Sequence, residues 1–254
     1  DVLGHKDFDR LANFIHSYSG IKMPPNNITM VEGRLRRRLR ALGFGSFAEY
    51  CRYLFDKDGL EDEAVHLIDA VTTNKTEFFR DTRQFEAFEH SVLPQVLEQG
   101  RADGRQVKLW SAGCATGEEP YSLAMAALER GATPETAEVW ATDLNPVATE
   151  SASKGYFPAR RLVGVSEERV SRFFTAVDGG YQVTPELRAM IRFDGQNLAA
   201  PVWPQVLARS LDVIFCRNVI IYFDQPTIIG VMERFYESLR PGGWMFLGYS
   251  ESLF

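Results

Sequence analysis

The sequence predicts an α/β protein in which a small all-helical domain precedes an open parallel sheet covered by helices. Residues 107–121 read as a buried strand, a loop of small residues with two glycines, and the start of a helix. A second apolar run ends at Asp143, 26 residues after Gly117. Residues 6 to about 70 show only helical periodicity. A strand, a glycine loop and a helix in this order form the nucleotide-binding corner of such sheets.

Composition excludes several classes of protein. Charged residues make up 24% and hydrophobic residues 45%, as in soluble globular proteins. No apolar run reaches the ~18 residues of a membrane span, and no signal-peptide pattern opens the chain. The three cysteines and four histidines are too scattered for a disulfide framework or a zinc site. We expect a reduced, cytoplasmic protein without a metal and without direct membrane insertion.

Charge is distributed unevenly along the chain. Residues 1–75 carry eleven basic and eleven acidic side chains, so the net charge of −6 falls on residues 76–254. An acidic main domain disfavours binding to a phosphate backbone, and we expect no nucleic-acid partner.

Residues 1–72 are predicted to form the all-helical N-terminal domain, with helices ending at Gly20 and Gly43. Its second helix is strongly basic. Such a run is commonly a solvated face, but it also suits an acidic helical protein partner, which we favour. The arginines that form this candidate receptor-facing surface are Arg34, Arg36, Arg37, Arg38 and Arg40.

Residues 73–103 are predicted to form a linker and a connecting helix from about residue 83 to 99. The polar segment 72–81, broken by two phenylalanines, fits neither a helix nor a strand. Ligands often bind where domains meet, so Asn74, Thr76 and Arg80 are candidate binding residues. The alternative is a linker anchored by the phenylalanines.

The glycine loop and the following acids indicate the ligand. Gly113 and Gly117 allow close approach to the main chain. Glu118 and Glu119 at the helix start disfavour a phosphate and suit a ligand that carries positive charge, such as S-adenosylmethionine. Asp143 stands where an acid commonly accepts hydrogen bonds from ribose hydroxyls. Two alternatives remain open for this loop. It could be a surface turn with an ordinary helix cap, or it could bind another nucleotide-type ligand.

The rest of the main domain, residues 104–254, alternates helices and strands. We expect a small β-hairpin insertion near residues 176–184, turning at Asp178-Gly179. The run at 211–216 is the most apolar and is predicted to be the central strand beside the ligand. The other predicted elements are a helix ending near Gly155, a loop at 156–161, a helix at 166–174, a strand at 191–194, a helix at 227–239, a tight turn at 241–243 and a strand at 244–248.

Five motifs in this order resemble the chemotaxis receptor methyltransferase family, called CheR. They are TTNKTEFFRD (72–81), WSAGCATGEEPYSLAM (110–125), ATDLN (141–145), FCRNVIIYFD (215–224) and PGGWMFLGYSES (241–252). The resemblance implies a Rossmann-like class I S-adenosylmethionine-dependent methyltransferase domain preceded by a small all-α domain. It also implies a monomeric enzyme, recruited to membrane receptor arrays, that O-methylates glutamate side chains on methyl-accepting chemotaxis receptors. The products would be glutamyl methyl esters and S-adenosylhomocysteine.

The resemblance also implies the residues of the site. Arg80 and Tyr222 are the expected catalytic residues, although Tyr222 also suits a buried tyrosine that closes a strand. The expected cofactor-binding residues are Asn74, Thr76, Arg80, Gly113, Glu118, Asp143, Asn197, Leu198, Asn218 and Val219.

Two departures and two alternatives accompany the resemblance. Family members continue past GYSES and this sequence starts without methionine, so we expect a trimmed piece. Some family members carry a hairpin that docks a short peptide from the C-terminus of the receptor. The hairpin predicted at 177–183 is short for this role, so we expect no docking of the receptor tail. The run from Asn218 to Tyr222 faintly resembles the signature of enzymes that N-methylate adenine or a glutamine amide, but lacks its prolines. A non-catalytic, receptor-binding adaptor that keeps the fold is the other alternative.

Overall fold

The computed structural model describes residues 2–203 and 208–251. The chain divides into two compact units. One holds the residues up to Thr73 together with Tyr222–Ile228, and the other holds Asn74–Ile221 and the residues from Ile229 onward. The linker and connecting helix expected at 73–103 therefore group with the sheet-containing unit from Asn74 onward, and Thr73 belongs to the first unit. No helix in the described ranges is both long and apolar enough to cross a membrane.

The first unit contains the helices that apolar periodicity predicts. In the helix Ile28–Leu42, Val31, Leu35 and Leu39 are buried on one face, and a left-handed glycine ends the helix at Gly43. The Ser46 hydroxyl accepts a hydrogen bond from the Glu49 amide and caps the helix Phe47–Asp56. The helices are α1 (His5–Ser19), α2 (Ile28–Leu42), α3 (Phe47–Asp56) and α4 (Leu60–Val71).

The helix expected over 83–99 is interrupted by a π-helical turn. The segment consists of α5 (Thr82–Ala87), the π turn Phe88–Val92 and α6 (Leu93–Ala102). Pro94 gives the physical reason, because it has no N–H for the carbonyl four residues earlier and its ring would clash with that carbonyl. The hydrogen-bond ladder widens just before it.

The second unit is built on a parallel sheet. Across the sheet its described strands are 191–195, 137–143, 107–112, 211–216 and 239–247, and every neighbouring pair is parallel. The strands are β1 (Val107–Ala112), β2 (Ala137–Asp143), β6 (Ile191–Gly195), β7 (Leu211–Cys216) and β8 (Leu239–Leu247). Its remaining helices are α7 (Glu118–Glu129), α8 (Pro146–Lys154), α9 (Glu167–Phe173), α10 (Pro185–Ala189) and α11 (Gln225–Ser238), the last of which begins in the first unit.

Two expectations about this sheet are wrong. Among the described strands β1 is central, and β7 lies between β1 and β8. All six residues of β7 are buried, because a strand beside the centre is covered on both faces as fully as the central one. The turn expected at 241–243 is an irregularity inside β8, whose register against β7 shifts between Leu211 and Val213. A bulge absorbs the extra residues without ending the strand.

A second, antiparallel sheet forms the insertion. The hairpin is confirmed as β4 (Phe174–Val177) and β5 (Gly180–Val183). Part of the loop expected at 156–161 is instead a third strand, β3 (Tyr156–Pro158), which pairs with β5. Pro158 lowers the strand propensity of this short run, and its place on an edge strand explains why it is tolerated.

Candidate cofactor and active site

The carboxyl ends of β1, β2 and β7 meet at one edge of the sheet. The chain passes from β1 to β2 and β6 on one side, then returns past β1 to β7 and β8. The strand order reverses there, and ligands of open α/β sheets bind in the crevice outside such a point. The glycine loop follows β1, Asp143 ends β2, and Asn218 and Val219 follow β7.

The glycine loop and the loop after β7 are in contact. Gly113 and Gly117 have left-handed φ angles of 88° and 100°. A Cβ atom on Gly113 would lie 2.4 Å from Cγ2 of Val219, closer than real atoms approach. Only glycine fits at residue 113, so two residues predicted from separate motifs adjoin here.

Asp143 faces the glycine loop. Its Oδ2 accepts a hydrogen bond from the Ala115 amide at 2.8 Å, and its Oδ1 accepts one from the Asn145 amide at 2.9 Å. Burial raises the pKa of the Asp143 carboxyl above its ordinary value, and these amides act against that rise. Each carboxylate oxygen offers two acceptor positions, so Asp143 retains capacity to accept from a ligand hydroxyl.

Glu118 is fully buried in the first turn of α7 and has a cationic partner. Arg161 Nε donates to Glu118 Oε1 at 2.7 Å, and the Thr116 hydroxyl donates to Oε2 at 2.7 Å. Sequence reasoning missed Arg161, which lies in a 3-10 turn after β3. The glutamates at the start of α7 were the available signal that a partner exists, because a buried carboxylate requires a cation or hydrogen-bond donors.

Glu119 is held by Arg217, a second arginine that the sequence did not reveal. Arg217 Nε donates to Glu119 Oε2 at 2.8 Å, and the Ser111 hydroxyl donates to Oε1 at 2.7 Å. Arg217 Nη1 also donates to the Arg80 carbonyl at 2.7 Å and to Gln84 Oε1 at 3.2 Å. This buried pair therefore links α7 and β7 to the backbone of the segment that carries Arg80.

The backbone around Arg80 is strained. Phe79 and Asp81 have φ angles of 51° and 57°, in the left-handed region that side chains disfavour. The Phe79 amide donates to the Ser122 hydroxyl at 3.0 Å, which anchors the turn to α7. Surrounding contacts maintain such strain most often at functional sites. Arg80 itself is half-buried, and its Nη1 donates to the Lys75 carbonyl at 3.2 Å.

Asn74 and Thr76 lie in the same irregular segment, as the sequence predicts, and both are half-buried. Asn197 and Leu198 follow β6 at the edge of the sheet that carries Asp143. The Asn197 side chain accepts a hydrogen bond from the Ala199 amide at 3.0 Å and shapes this turn.

Asn218 provides a specific test of whether a ligand fits. Its φ angle is 60°, and Glu251 accepts hydrogen bonds from the amides of Asn218, Val219 and Ile220. Its side-chain Oδ1 is buried and accepts no hydrogen bond from any described residue. Val219, the next residue in the chain, contacts the glycine loop at Gly113, and a buried orphan acceptor at this edge of the sheet is satisfied when a ligand donates to it. S-adenosylmethionine offers an adenine amine, ribose hydroxyls and an ammonium as donors, so the residues fit this cofactor.

Tyr222 is half-buried and is the last residue of the 3-10 helix Ile220–Tyr222. This helix begins directly after Val219. Its main chain belongs to the first unit, where its carbonyl accepts a hydrogen bond from the Lys22 amide at 2.8 Å. The catalytic assignment of Arg80 and Tyr222 stays a prediction.

The five arginines of α2 divide into two groups. Arg34 donates to the carbonyls of Val71 and Thr72, and Arg38 donates to the buried carboxylate of Glu63. These two stabilise the first unit from within. Arg36 pairs with Glu32 one turn earlier, whereas Arg37 and Arg40 are exposed. The surface available to a partner is therefore narrower than the sequence suggests.

Comparison with known proteins identifies the family. Residues 74–254 match the CheR methyltransferase SAM-binding domain, and residues 6–72 match the CheR methyltransferase all-alpha domain. The chain belongs to the CheR methyltransferase family. This confirms the resemblance that the five motifs carry, the α/β fold with a preceding all-α domain, and S-adenosylmethionine as the cofactor.

Curated relatives cover almost the whole CheR chain. Chemotaxis protein methyltransferase 2 of Vibrio cholerae is 35% identical over 99% of this chain and 87% of its own length. Chemotaxis protein methyltransferase 2 of Pseudomonas aeruginosa is 36% identical over 97% of this chain and 86% of its own. The chemotaxis protein methyltransferase of Escherichia coli is 33% identical over 99% and 86% respectively. The chain is therefore an S-adenosylmethionine-dependent methyltransferase of the chemotaxis type.

Proposed function

We propose that this enzyme methylates glutamate side-chain carboxylates on methyl-accepting chemotaxis receptors and produces glutamyl methyl esters. The observation that carries the proposal is the chemistry of the crevice. No histidine follows the carboxyl end of β1, β2, β6 or β7 within the described residues. Burial raises the pKa of the Cys114 and Cys216 thiols well above their usual value, so neither supplies a thiolate. A glutamate carboxylate is already ionised near neutral pH and needs no base.

Catalysis then rests on alignment and on the exclusion of water. S-adenosylmethionine supplies a methyl carbon made electrophilic by its sulfonium. Asp143 would accept hydrogen bonds from the ribose hydroxyls, and Asn218 Oδ1 would accept one from another donor group of the cofactor. Arg80 holds a carboxylate, either of the substrate or of the cofactor, by charge-assisted hydrogen bonds. Tyr222 donates a hydrogen bond that orients the attacking carboxylate oxygen.

The receptor-facing surface is the exposed side of α2. Arg37 and Arg40 are exposed there, with Arg36 at their margin. Three cations on one helical face suit an acidic helix of the receptor, and electrostatic attraction raises the association rate. We place the enzyme on the cytoplasmic side of the membrane, recruited to receptor arrays as a monomer.

Transfer of a labelled methyl group from S-adenosylmethionine to receptor-containing membranes tests the reaction. We expect protein-bound label that mild alkali releases as methanol, because carboxyl esters hydrolyse and N-methyl groups do not. Alkali-stable label would indicate N-methylation, and cofactor binding without any transfer would indicate an adaptor.

The receptor surface has its own test. Arg37→Glu combined with Arg40→Glu should slow receptor methylation, most strongly at low salt, and leave the Kd for S-adenosylhomocysteine unchanged. Arg52→Glu is the matched control, because Arg52 is also an exposed arginine of the first unit but lies on α3. An equal loss in both proteins would refute the assignment of the surface to α2.

A further inference from the structure

The ion pair between Arg161 and Glu118 joins two side chains that differ strongly in their exposure to solvent. Glu118 is fully buried at the start of α7, whereas 34% of the Arg161 side chain is exposed. Arg161 Nε and Nη2 both donate to Glu118 Oε1, and Nη2 also donates to the Thr116 hydroxyl at 2.6 Å. Arg161 Nη1 makes no hydrogen bond to a described residue. The arginine can therefore turn toward water, while the carboxylate cannot leave the interior.

A buried carboxylate must be compensated by a cation or by hydrogen-bond donors. Removing such a charge from water is strongly unfavourable without that compensation. In this structure Arg161 and Thr116 provide that compensation. The resemblance of the motif at 110–125 implies that Glu118 binds the cofactor, and the cationic groups that this cofactor offers to a buried carboxylate are the ammonium of its amino-acid end and the adjacent sulfonium.

Two cations, the Arg161 guanidinium and the cofactor ammonium, thus compete for the single carboxylate of Glu118. We propose that Arg161 is the resident counter-ion of Glu118 and is displaced by the ammonium of the bound cofactor, so that it sets the affinity for the amino-acid end of the ligand. This inference rests on the proposed use of Glu118 by the cofactor. Because S-adenosylhomocysteine carries the same ammonium, the return of Arg161 also promotes release of the product.

The competition predicts an effect that depends on the ligand. A cofactor that must break the arginine–carboxylate bonds binds more weakly than one that meets an unpaired carboxylate. 5′-Methylthioadenosine shares the adenosine and the thioether sulfur but lacks the ammonium and the carboxylate. Its affinity is therefore independent of Arg161.

Calorimetry on the full chain tests this with S-adenosylhomocysteine and 5′-methylthioadenosine as probes. Arg161→Met keeps most of the side-chain length and removes the charge. We expect it to tighten S-adenosylhomocysteine about tenfold, the size of one charge-assisted hydrogen bond that no longer has to be broken. 5′-Methylthioadenosine should bind as it does to the wild type. Arg160→Met is the matched control, since Arg160 is the exposed neighbour and should change neither Kd.

A double-mutant cycle separates this role from a structural one. In a Glu118→Gln background, which leaves no buried charge to neutralise, Arg161→Met should have no further effect on either Kd. This background also provides a folded comparison if Arg161→Met alone is too unstable, and thermal unfolding of each variant verifies the fold. Weaker S-adenosylhomocysteine binding by Arg161→Met would overturn the proposal and make Arg161 a ligand of the cofactor carboxylate. An unchanged Kd would overturn it as well.

Failure of the underlying function gives different results. If Glu118→Gln alone leaves the Kd of S-adenosylhomocysteine unaltered, Glu118 does not contact the cofactor, and the inference fails with that assignment. If the wild-type protein binds neither probe, the cofactor site itself is misplaced.

Discussion

Replacing Arg217 by methionine should destabilise the protein more than any loss of an exposed ion pair. The Arg217 side chain is 2% exposed and that of its partner Glu119 is 10% exposed. Arg217→Met preserves much of the buried volume but leaves the Glu119 carboxylate with the Ser111 hydroxyl as its remaining side-chain donor among the described residues. The Arg80 carbonyl loses its hydrogen bond from Arg217 as well.

The expected magnitude follows from the burial of the pair. Removing one partner of a buried ion pair costs about 3–5 kcal/mol, because the other charge stays in the interior without compensation. The exposed pair between Arg192 and Asp194, with side chains 53% and 43% exposed, gives the comparison. Exposed pairs contribute about 0–1 kcal/mol, so Arg192→Met should have little effect.

Urea unfolding at neutral pH measures both substitutions. We expect a clear fall in the midpoint for Arg217→Met and almost none for Arg192→Met, with similar m-values. Adding Glu119→Gln to Arg217→Met removes the orphaned charge, so the double variant should recover much of the lost stability. The reasoning is refuted if Arg217→Met costs no more than Arg192→Met, or if the two substitutions at the buried pair are simply additive.

Three further predictions concern the site and the first unit. Asp143→Ala should mainly weaken cofactor binding, measured as a Kd, while Tyr222→Phe should lower kcat with little change in that Kd. Equal Kd and kcat values for both variants and the wild type would show that the site is misplaced. Gly113→Ala should abolish measurable cofactor binding, because its Cβ would overlap a valine side chain. Gly131→Ala is the control, since its Cβ meets nothing within 4 Å and it should lower the free energy of unfolding only by the ~1–2 kcal/mol of left-handed strain. Similar calorimetric titrations for the two variants would contradict this prediction. Hydrogen bonds from a threonine and a histidine lower the pKa of Asp224 to about 2, so its stabilising contribution is present above the unfolded value of about 3.9 and is lost as pH falls toward 2. Asp224→Asn retains a helix-capping side chain but cannot titrate, so urea midpoints should depend less on pH between 4 and 2, and an unchanged slope would contradict the assignment.

Local signals predicted much of this fold. The glycines expected to end helices at Gly20, Gly43 and Gly155 all adopt left-handed φ angles. Apolar periodicity located the helices of the first unit, and the glycine loop with Asp143 located the corner of the sheet. These features depend on interactions within a few residues, which a single sequence contains.

Features set by tertiary contacts were not predictable in the same way. Arg161 meets Glu118 across 43 residues, and Arg217 meets Glu119 across 98. Strand order decides which charges adjoin, and no local pattern encodes it. Consequently the acids at the start of α7 were recognised, but the two arginines that neutralise them were not.

Mass spectrometry of a receptor methylated by this enzyme tests the central claim most directly. Purified receptor-containing membranes are incubated with the enzyme and S-adenosylmethionine, and tandem spectra of the receptor peptides locate each added methyl group. We predict methyl groups only on the side-chain carboxylates of glutamates in the cytoplasmic helices. Methyl groups on nitrogen atoms, or unmodified receptor in the presence of enzyme that binds its cofactor, would contradict the account.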